Sequence, residues 1–593
     1  MLSAERDLLL AGSASAAAWQ RPGQAALGKV VWQCYSFGPK QVTQCYKFAE
    51  RCQPGGGTKM AQRTRKVIGI ISGAAAGALA ASLLALTPVA SAAQSAVTAS
   101  ASSLPTITEI PAGSGTHGYP YDAVPTTPSF AGAPTIDLAS YGYAENEYLM
   151  SGTTNIYQQS GIWGPNGQWG ISVAQSDVPY TTRLLVRYPT NPAAFNGTVI
   201  VEWLNDTTGG DQDPVWSEIY NEVLSQGYAY VGVTAQTAGM NELKAWDSVR
   251  YGALGDSNDG QSYDIFTQAA EAVRDDSATL LGGLDPTRVI GMGDSQSAIR
   301  LTTYINAIQP VSHAYDGFIT IGRAVVAAPI GSGLVALSPL PAYIRTDSTT
   351  PLIQINTEGD IEELGDAFAR QPDNTYLRTW ELAGASHIDL HEGLYEGATI
   401  EREEPAVTAP ECLFGVPFNG ATLPDNMSLY ELEDAALNDM NNWLADGTAP
   451  PHGNEIATTP IFNIVETDRY GNALGGIRLP DIQVPTETYT PINFYVPSEE
   501  SLTGPALLSE LESIFTTLET GEITNTTVRD EGLCLLEGYY TPFSNATLTS
   551  LYPTHADYVS AFTAAAASDL AAGFLTQSDY NAAVAAAQAS SVP

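Results

Sequence analysis

The sequence predicts an α/β architecture: a mostly parallel central sheet covered by helices on both faces, with a loop-rich and helical C-terminal extension. Two observations carry this. Short aliphatic runs recur at 183–188, 198–204, 228–234, 288–292, 317–321, 351–356 and 377–382, apolar on both faces as buried strands are. Between them lie segments with helical spacing, and strands that alternate with helices imply a parallel sheet.

The helical segments have readable faces and ends. Over 214–227, Val215, Trp216, Ile219, Tyr220, Val223 and Leu224 share one face, and Gly227 suits the end of the helix. Over 263–281, Ile265, Phe266, Ala269, Val273 and Leu280 do the same. Another helix is expected over 297–308. Beyond about residue 400 the alternation stops. A helix is expected over 432–445, and 447–500 is rich in Pro, Gly and Thr and reads as surface loops. Residues 553–587 are Ala-rich and helical, interrupted at Gly573, with Thr576 and Asp579 spaced as a capping box for the restart.

The N-terminal region reads differently. Residues 1–59 show no sustained apolar period and are expected to be a non-native upstream extension, with Met60 as the true start. Arg63, Arg65 and Lys66 precede an uncharged run at 67–86, then Pro88 and the small residues Ala90, Ser91 and Ala92. This is the pattern of a secretory signal peptide over 60–92. An uncleaved membrane anchor through 67–86 is the alternative, since the run is long enough to span a bilayer. Residues 93–130 read as a linker or arm, 131–446 as the core and 447–593 as an extension that packs on the core or roofs a pocket.

Charge narrows the function. The 593 residues hold 64 Asp+Glu and 25 Lys+Arg, a net charge of -39. The first 92 residues contain ten basic and three acidic residues, so the remainder carries 15 against 61, a net -46. Nucleic acid is excluded as a general partner because a basic footprint is missing. No membrane partner is expected beyond the export signal. Neutral or cationic substrates should be preferred over polyanionic ones. Export and an even count beyond the leader make Cys412 and Cys534 a disulfide candidate.

The sharpest chemical signal is Gly293-Asp294-Ser295-Gln296-Ser297, placed after the strand at 288–292 and before a helix. It matches the nucleophile elbow G-x-S-x-G with Ser in place of the last Gly. Such a turn needs small residues two positions either side of the nucleophile, which Gly293 and Ser297 supply. The backbone N–H of Gln296 is a natural oxyanion donor at the helix start. His387 follows the strand at 377–382 in a small-residue loop and is the candidate base; His391 is the runner-up, read as structural. Asp360, after the strand at 351–356, is the candidate acid, and Glu358 competes with it. The order Ser295, Asp360, His387 is that of α/β-hydrolases. The second oxyanion donor is expected from the loop after 198–204, at the backbone N–H of Leu204 or Asn205.

The stretches 141–152 (YGYAENEYLMSG), 197–205 (GTVIVEWLN), 262–269 (SYDIFTQA), 293–307 (GDSQSAIRLTTYINA), 471–480 (GNALGGIRLP) and 551–559 (LYPTHADYV) resemble the bacterial alpha/beta hydrolase domain family, a group of large predicted hydrolases. The resemblance runs over about residues 105–587. It implies the α/β-hydrolase fold, Ser295 as nucleophile and His387 as base. It supplies no substrate.

Other chemistries are weaker. His387, Asp389 and His391 lack a metal-site spacing, and the fragment at 256–260 lacks the terminal Glu of a calcium loop, so no metal is expected. No phosphate-binding glycine motif appears, so no cofactor is expected. The reading is a secreted serine hydrolase acting on a small carboxylic ester through an acyl-enzyme. A peptidase or amidase on the same residues is an alternative, and a catalytically silent binding protein on this scaffold is another.

Overall fold

The computed structural model describes residues 30–37, 42–49, 104–127, 133–330, 338–403, 423–460, 463–493 and 536–593. The expected signal peptide at 60–92 and the disulfide candidate Cys412 and Cys534 lie outside these. The chain divides into two units, 1–63 and 64–593. In the first, β1 (Val30–Phe37) and β2 (Val42–Ala49) pair antiparallel.

The second unit is built on a nine-stranded sheet. In chain order its strands are β3 (Thr106–Ile110), β4 (Tyr143–Ser160), β5 (Gly170–Pro189), β6 (Thr198–Trp203), β7 (Ala229–Val233), β8 (Arg288–Asp294), β9 (Gly317–Ile321), β10 (Leu352–Thr357) and β11 (Leu377–Leu382). They lie in the order β11-β10-β9-β8-β6-β7-β5-β4-β3. The six from β11 to β7 run parallel, and β5, β4 and β3 extend the sheet antiparallel. The chain leaves β6 for β7 on one side and β8 for β9 on the other, so the sheet order reverses between the neighbours β6 and β8. In open α/β sheets the crevice beyond the strand ends at such a point is where ligands bind.

The covering helices are α1 (Pro214–Gln226), α2 (Thr237–Trp246), α3 (Ser262–Asp275), α4 (Gln296–Thr303), α5 (Leu390–Glu403), α6 (Leu429–Asp446), α7 (His555–Ala572) and α8 (Gln577–Ala589). One apolar core gathers Trp203, Val231, Phe266 and Leu301; the other gathers Ile200, Trp216, Ile355 and Leu432. Alternate strand residues feed opposite cores, as Ile200 and Val201 of β6 do, which is why these strands are apolar throughout. Each fully buried aliphatic side chain stabilises the fold by about 1.5–3 kcal/mol relative to exposure. Gly227 ends α1 at φ 76°, where a side chain would be strained.

Three expectations need correction. Residues 104–127 are no loose arm: β3 adds the sheet edge, and Asp122 is buried beside Arg183 and Arg187. The segment after 447 is irregular but not superficial. Ile456, Ala473, Ile477 and Ile482 are buried; the Ala383 N–H donates to the Ile477 carbonyl and the Ile477 N–H to the Glu381 carbonyl, which covers the β11 edge. An exposed edge strand would otherwise be free to pair with other chains. Finally, Thr576 caps α8 by accepting from the Asp579 N–H, but the Asp579 carboxylate takes the Thr576 hydroxyl, so the capping box is not reciprocal. A reciprocal box stands instead at Thr554 and Asp557, at the start of α7. These C-terminal helices pack on the core through Ala566, Leu575 and an edge-on contact of Phe574 with Trp380.

Candidate active site

β8 delivers Ser295 into a sharp turn before α4. Its φ of 54° and ψ of -118° lie outside the regions favoured by ordinary residues, and the strain lifts the hydroxyl off the sheet end. A Cβ at Gly293 would sit 3.0 Å from the Ser297 side chain, so the close packing around the elbow favours glycine there. The Ser295 N–H donates to the Ile321 carbonyl, tying the turn to β9.

His387 lies in the loop after β11, with its Nε2 2.8 Å from Ser295 Oγ and its Nδ1 2.6 Å from Asp360 Oδ1. The Asp360 carboxylate has two duties. Its other oxygen accepts the Thr357 N–H at 2.6 Å, closing a capping box on the short helix Glu358–Glu362 after β10. Glu358, the competing acid, uses its carboxylate to accept the Gly384 N–H at 2.9 Å, which braces the histidine loop. His391 is half-buried between Tyr220 and Tyr430, with its ring stacked on Tyr220.

Several positioning residues carry no sequence signal of their own. Asp425 accepts the Ser386 and Met427 N–H groups at 2.9 Å each, and the Leu536 carbonyl accepts the Ile388 N–H. The histidine loop is therefore held by residues distant in sequence. Gly322, at φ 58°, passes so near the imidazole that a Cβ would lie 2.7 Å from His387 Cε1. Behind the 205–213 loop, Arg183 and Arg187 of β5 reach Asp211 and Asp213 at 3.4 and 2.6 Å. Only the three-dimensional pairing of β5 with β7 exposes that role.

The oxyanion donors differ from expectation. The Leu204 N–H is engaged with the Val233 carbonyl at 3.3 Å and the Asn205 N–H with the Gln212 carbonyl at 2.9 Å. Both are used in holding the loop, so neither backbone group faces a substrate. Asn205 braces the elbow instead, its Nδ2 donating to the Asp294 carbonyl at 3.2 Å. Gln296 opens α4, where no preceding turn supplies a carbonyl to its N–H. Thr207 lines the cavity onto which Ser295 opens, and its hydroxyl has no hydrogen-bond partner. The acidic turn at 256–260 serves α2: Asp256 and Asp259 accept from the Thr237 hydroxyl and N–H.

The electrostatics are dominated by carboxylates. Burial by itself would lower the His387 pKa, but the Asp360 charge and hydrogen bond, with Asp294 and Glu392 behind them, outweigh it and hold the imidazole above its ordinary value. Burial pushes Asp294 up to about 7, partly offset by His387. Ser295 and His387 open onto a cavity that α5 also lines, through Glu392, Glu396 and Ile400. Chemically, the hydroxyl, the imidazole and the carboxylate form a relay suited to nucleophilic attack.

A family model described as an alpha/beta hydrolase domain matches residues 108–585. Among solved structures the chain is similar to esterase Est22, at 11% identity over 39% of this chain and 69% of that one, with a TM-score of 0.24. It is also similar to the carboxylesterase Cest-2923 from Lactobacillus plantarum WCFS1, at 11% identity over 30% and 67%, with a TM-score of 0.20. No curated protein sequence matches it.

Proposed function

Since the chain belongs to the alpha/beta hydrolase domain family, we propose that it is an exported serine hydrolase that cleaves carboxylic esters. The observation that carries this reading is the alignment of Ser295 Oγ, both His387 nitrogens and Asp360 Oδ1, at 2.8 and 2.6 Å. Ser295 Oγ attacks the acyl carbon while His387 Nε2 takes its proton. Asp360 holds the tautomer and stabilises the imidazolium that forms. The Gln296 N–H, at the positive end of α4, and the Thr207 hydroxyl stabilise the oxyanion. Collapse of the tetrahedral intermediate breaks the C–O bond, and His387 returns the proton to the departing alcohol. Water then repeats the sequence on the acyl-enzyme, with His387 again as base.

A fluorophosphonate probe tests the reading on the full chain. The wild type is expected to label and to hydrolyse short esters. Ser295→Ala is expected to lose labelling and on the order of 10⁵–10⁶ in kcat. Folded wild type that neither labels nor turns over esters would overturn the proposal. Turnover of peptides in preference to esters would move it to an amidase. Export is read from the same preparation: the secreted protein should begin near residue 93 by mass spectrometry, and peptides from 1–59 would count against that part.

A further inference from the structure

Glu392 and Glu396 stand four residues apart on α5, and both line the cavity that Ser295 and His387 open onto. A like-charged pair at that spacing repels, so helix stability does not explain it. Glu396 is only 5% exposed, and its Oε1 has no hydrogen-bond partner. Its Oε2 meets only a long contact, 3.5 Å from Gln212 Nε2. Asp294 also lines this cavity, and its Oδ1 is buried and unpartnered. An unpaired buried acceptor is costly, and one that faces a cavity is relieved by whatever fills it.

A partner that brings positive charge fits these acidic surroundings best. Among the described residues, no Lys or Arg lines this cavity. The guanidinium groups of Arg183 and Arg187 are already held by Glu147 and Asp211, and by Glu145 and Asp213. Burial pushes the Glu396 carboxyl well up, and Asp213, Asp122, Glu392 and Glu202 push it further. A neutral hydroxyl could offer one hydrogen bond but would leave those charges uncompensated. An ammonium group offers three donors and a charge.

Resting on the serine hydrolase reading, we infer that the α5 wall is a cation subsite, so that the preferred substrates are esters bearing a protonated primary amine. Glu396 is the principal ligand of that ammonium. Glu392 and Asp294 supply the surrounding negative field.

Matched esters test this on the full chain. One series compares methyl ω-ammonium alkanoates with methyl alkanoates of equal length. The other compares butyrates of ω-ammonium alcohols with n-alkyl butyrates. Chains of several methylenes place the charge on the acyl or the alcohol side. In one series the cationic member should be favoured in kcat/KM by about tenfold or more, and Glu396→Gln should bring that ratio close to one. Fluorophosphonate labelling of the variant reports that it is folded. As a measurement that needs no variant, n-hexylammonium should inhibit wild type competitively and far better than n-hexanol. Neutral esters turned over with no preference in either series, or a preference that survives Glu396→Gln, would overturn the subsite while leaving the hydrolase intact. Absence of both labelling and ester turnover would instead fell the hydrolase reading beneath it.

Discussion

Asp294 sits beside Ser295, the proposed nucleophile, in sequence and beside His387 in space, and its charge helps to raise the imidazole. His387 must be neutral to accept the Ser295 proton, so a raised pKa moves the acid limb of kcat/KM upward. That limb is expected above the ordinary histidine value near 6.5. Asp294→Asn removes one negative neighbour, so its limb should shift to lower pH. Rate profiles of the two proteins on one neutral ester check this; superimposable limbs would refute it. At this scale the elbow, the histidine and its acid were all readable as chemistry at a particular place in the chain. The split between Asp360 and Glu358 was not, because both follow β10 within three residues. It depends on which carboxylate the short helix turns toward the imidazole and which toward Gly384.

The loop that carries His387 is held from outside its own strand and helix. Asp425 receives the Ser386 N–H, the Leu390 N–H reaches the Asp425 carbonyl, and the Ile388 N–H reaches Leu536. Small displacements of a catalytic group are costly, with about 1 Å worth on the order of 10² in rate. Asp425→Ala is therefore expected to lower kcat by about that factor, with a smaller change in KM, while Ser295 still labels slowly. Steady-state kinetics beside the labelling rate check it, and wild-type kcat would remove the role. Elements with strong periodicity, such as β9 and β11, were legible to the residue. Irregular segments at 104–127 and 447–493 were not, because their apolar residues follow no regular period. Their burial comes from partners far along the chain, such as Arg183 for Asp122 and Ala383 for Ile477.

Across the molecule, many carboxyls are buried and held above their ordinary values. Burial pushes Glu363 up to about 8 and Glu403 to about 7, the latter partly offset by Arg402. Between about pH 5 and 8 the folded state thus binds more protons than the unfolded one, so stability falls as pH rises through that window. His387 adds in the same direction: its stabilisation is complete below the ordinary histidine value and is lost as pH rises through its raised folded value. Asp247 acts oppositely: burial would raise it, but N–H groups of Arg250, His117 and Thr116 lower it, and its contribution fades only in strong acid. Self-repulsion of the net -39 chain, also greater at high pH, agrees in sign. Calorimetric Tm values should therefore be higher near pH 5.5 than near pH 8. A flat or rising trend would contradict it.

By itself, the sequence determined the alternation of strands and helices, the parallel sheet and the order of Ser295, Asp360 and His387 along the chain. These follow from local periodicity and turn chemistry, which neighbours in sequence suffice to set. Only the tertiary structure decided which N–H groups were left for a substrate. Leu204 and Asn205 lost theirs to Val233 and Gln212, an outcome of strand pairing and loop closure that no local pattern encodes. The same holds for the acidity. Composition reports a net charge, but folding chooses which carboxylates become buried, and it set Glu392 and Glu396 in the cavity that Ser295 also lines.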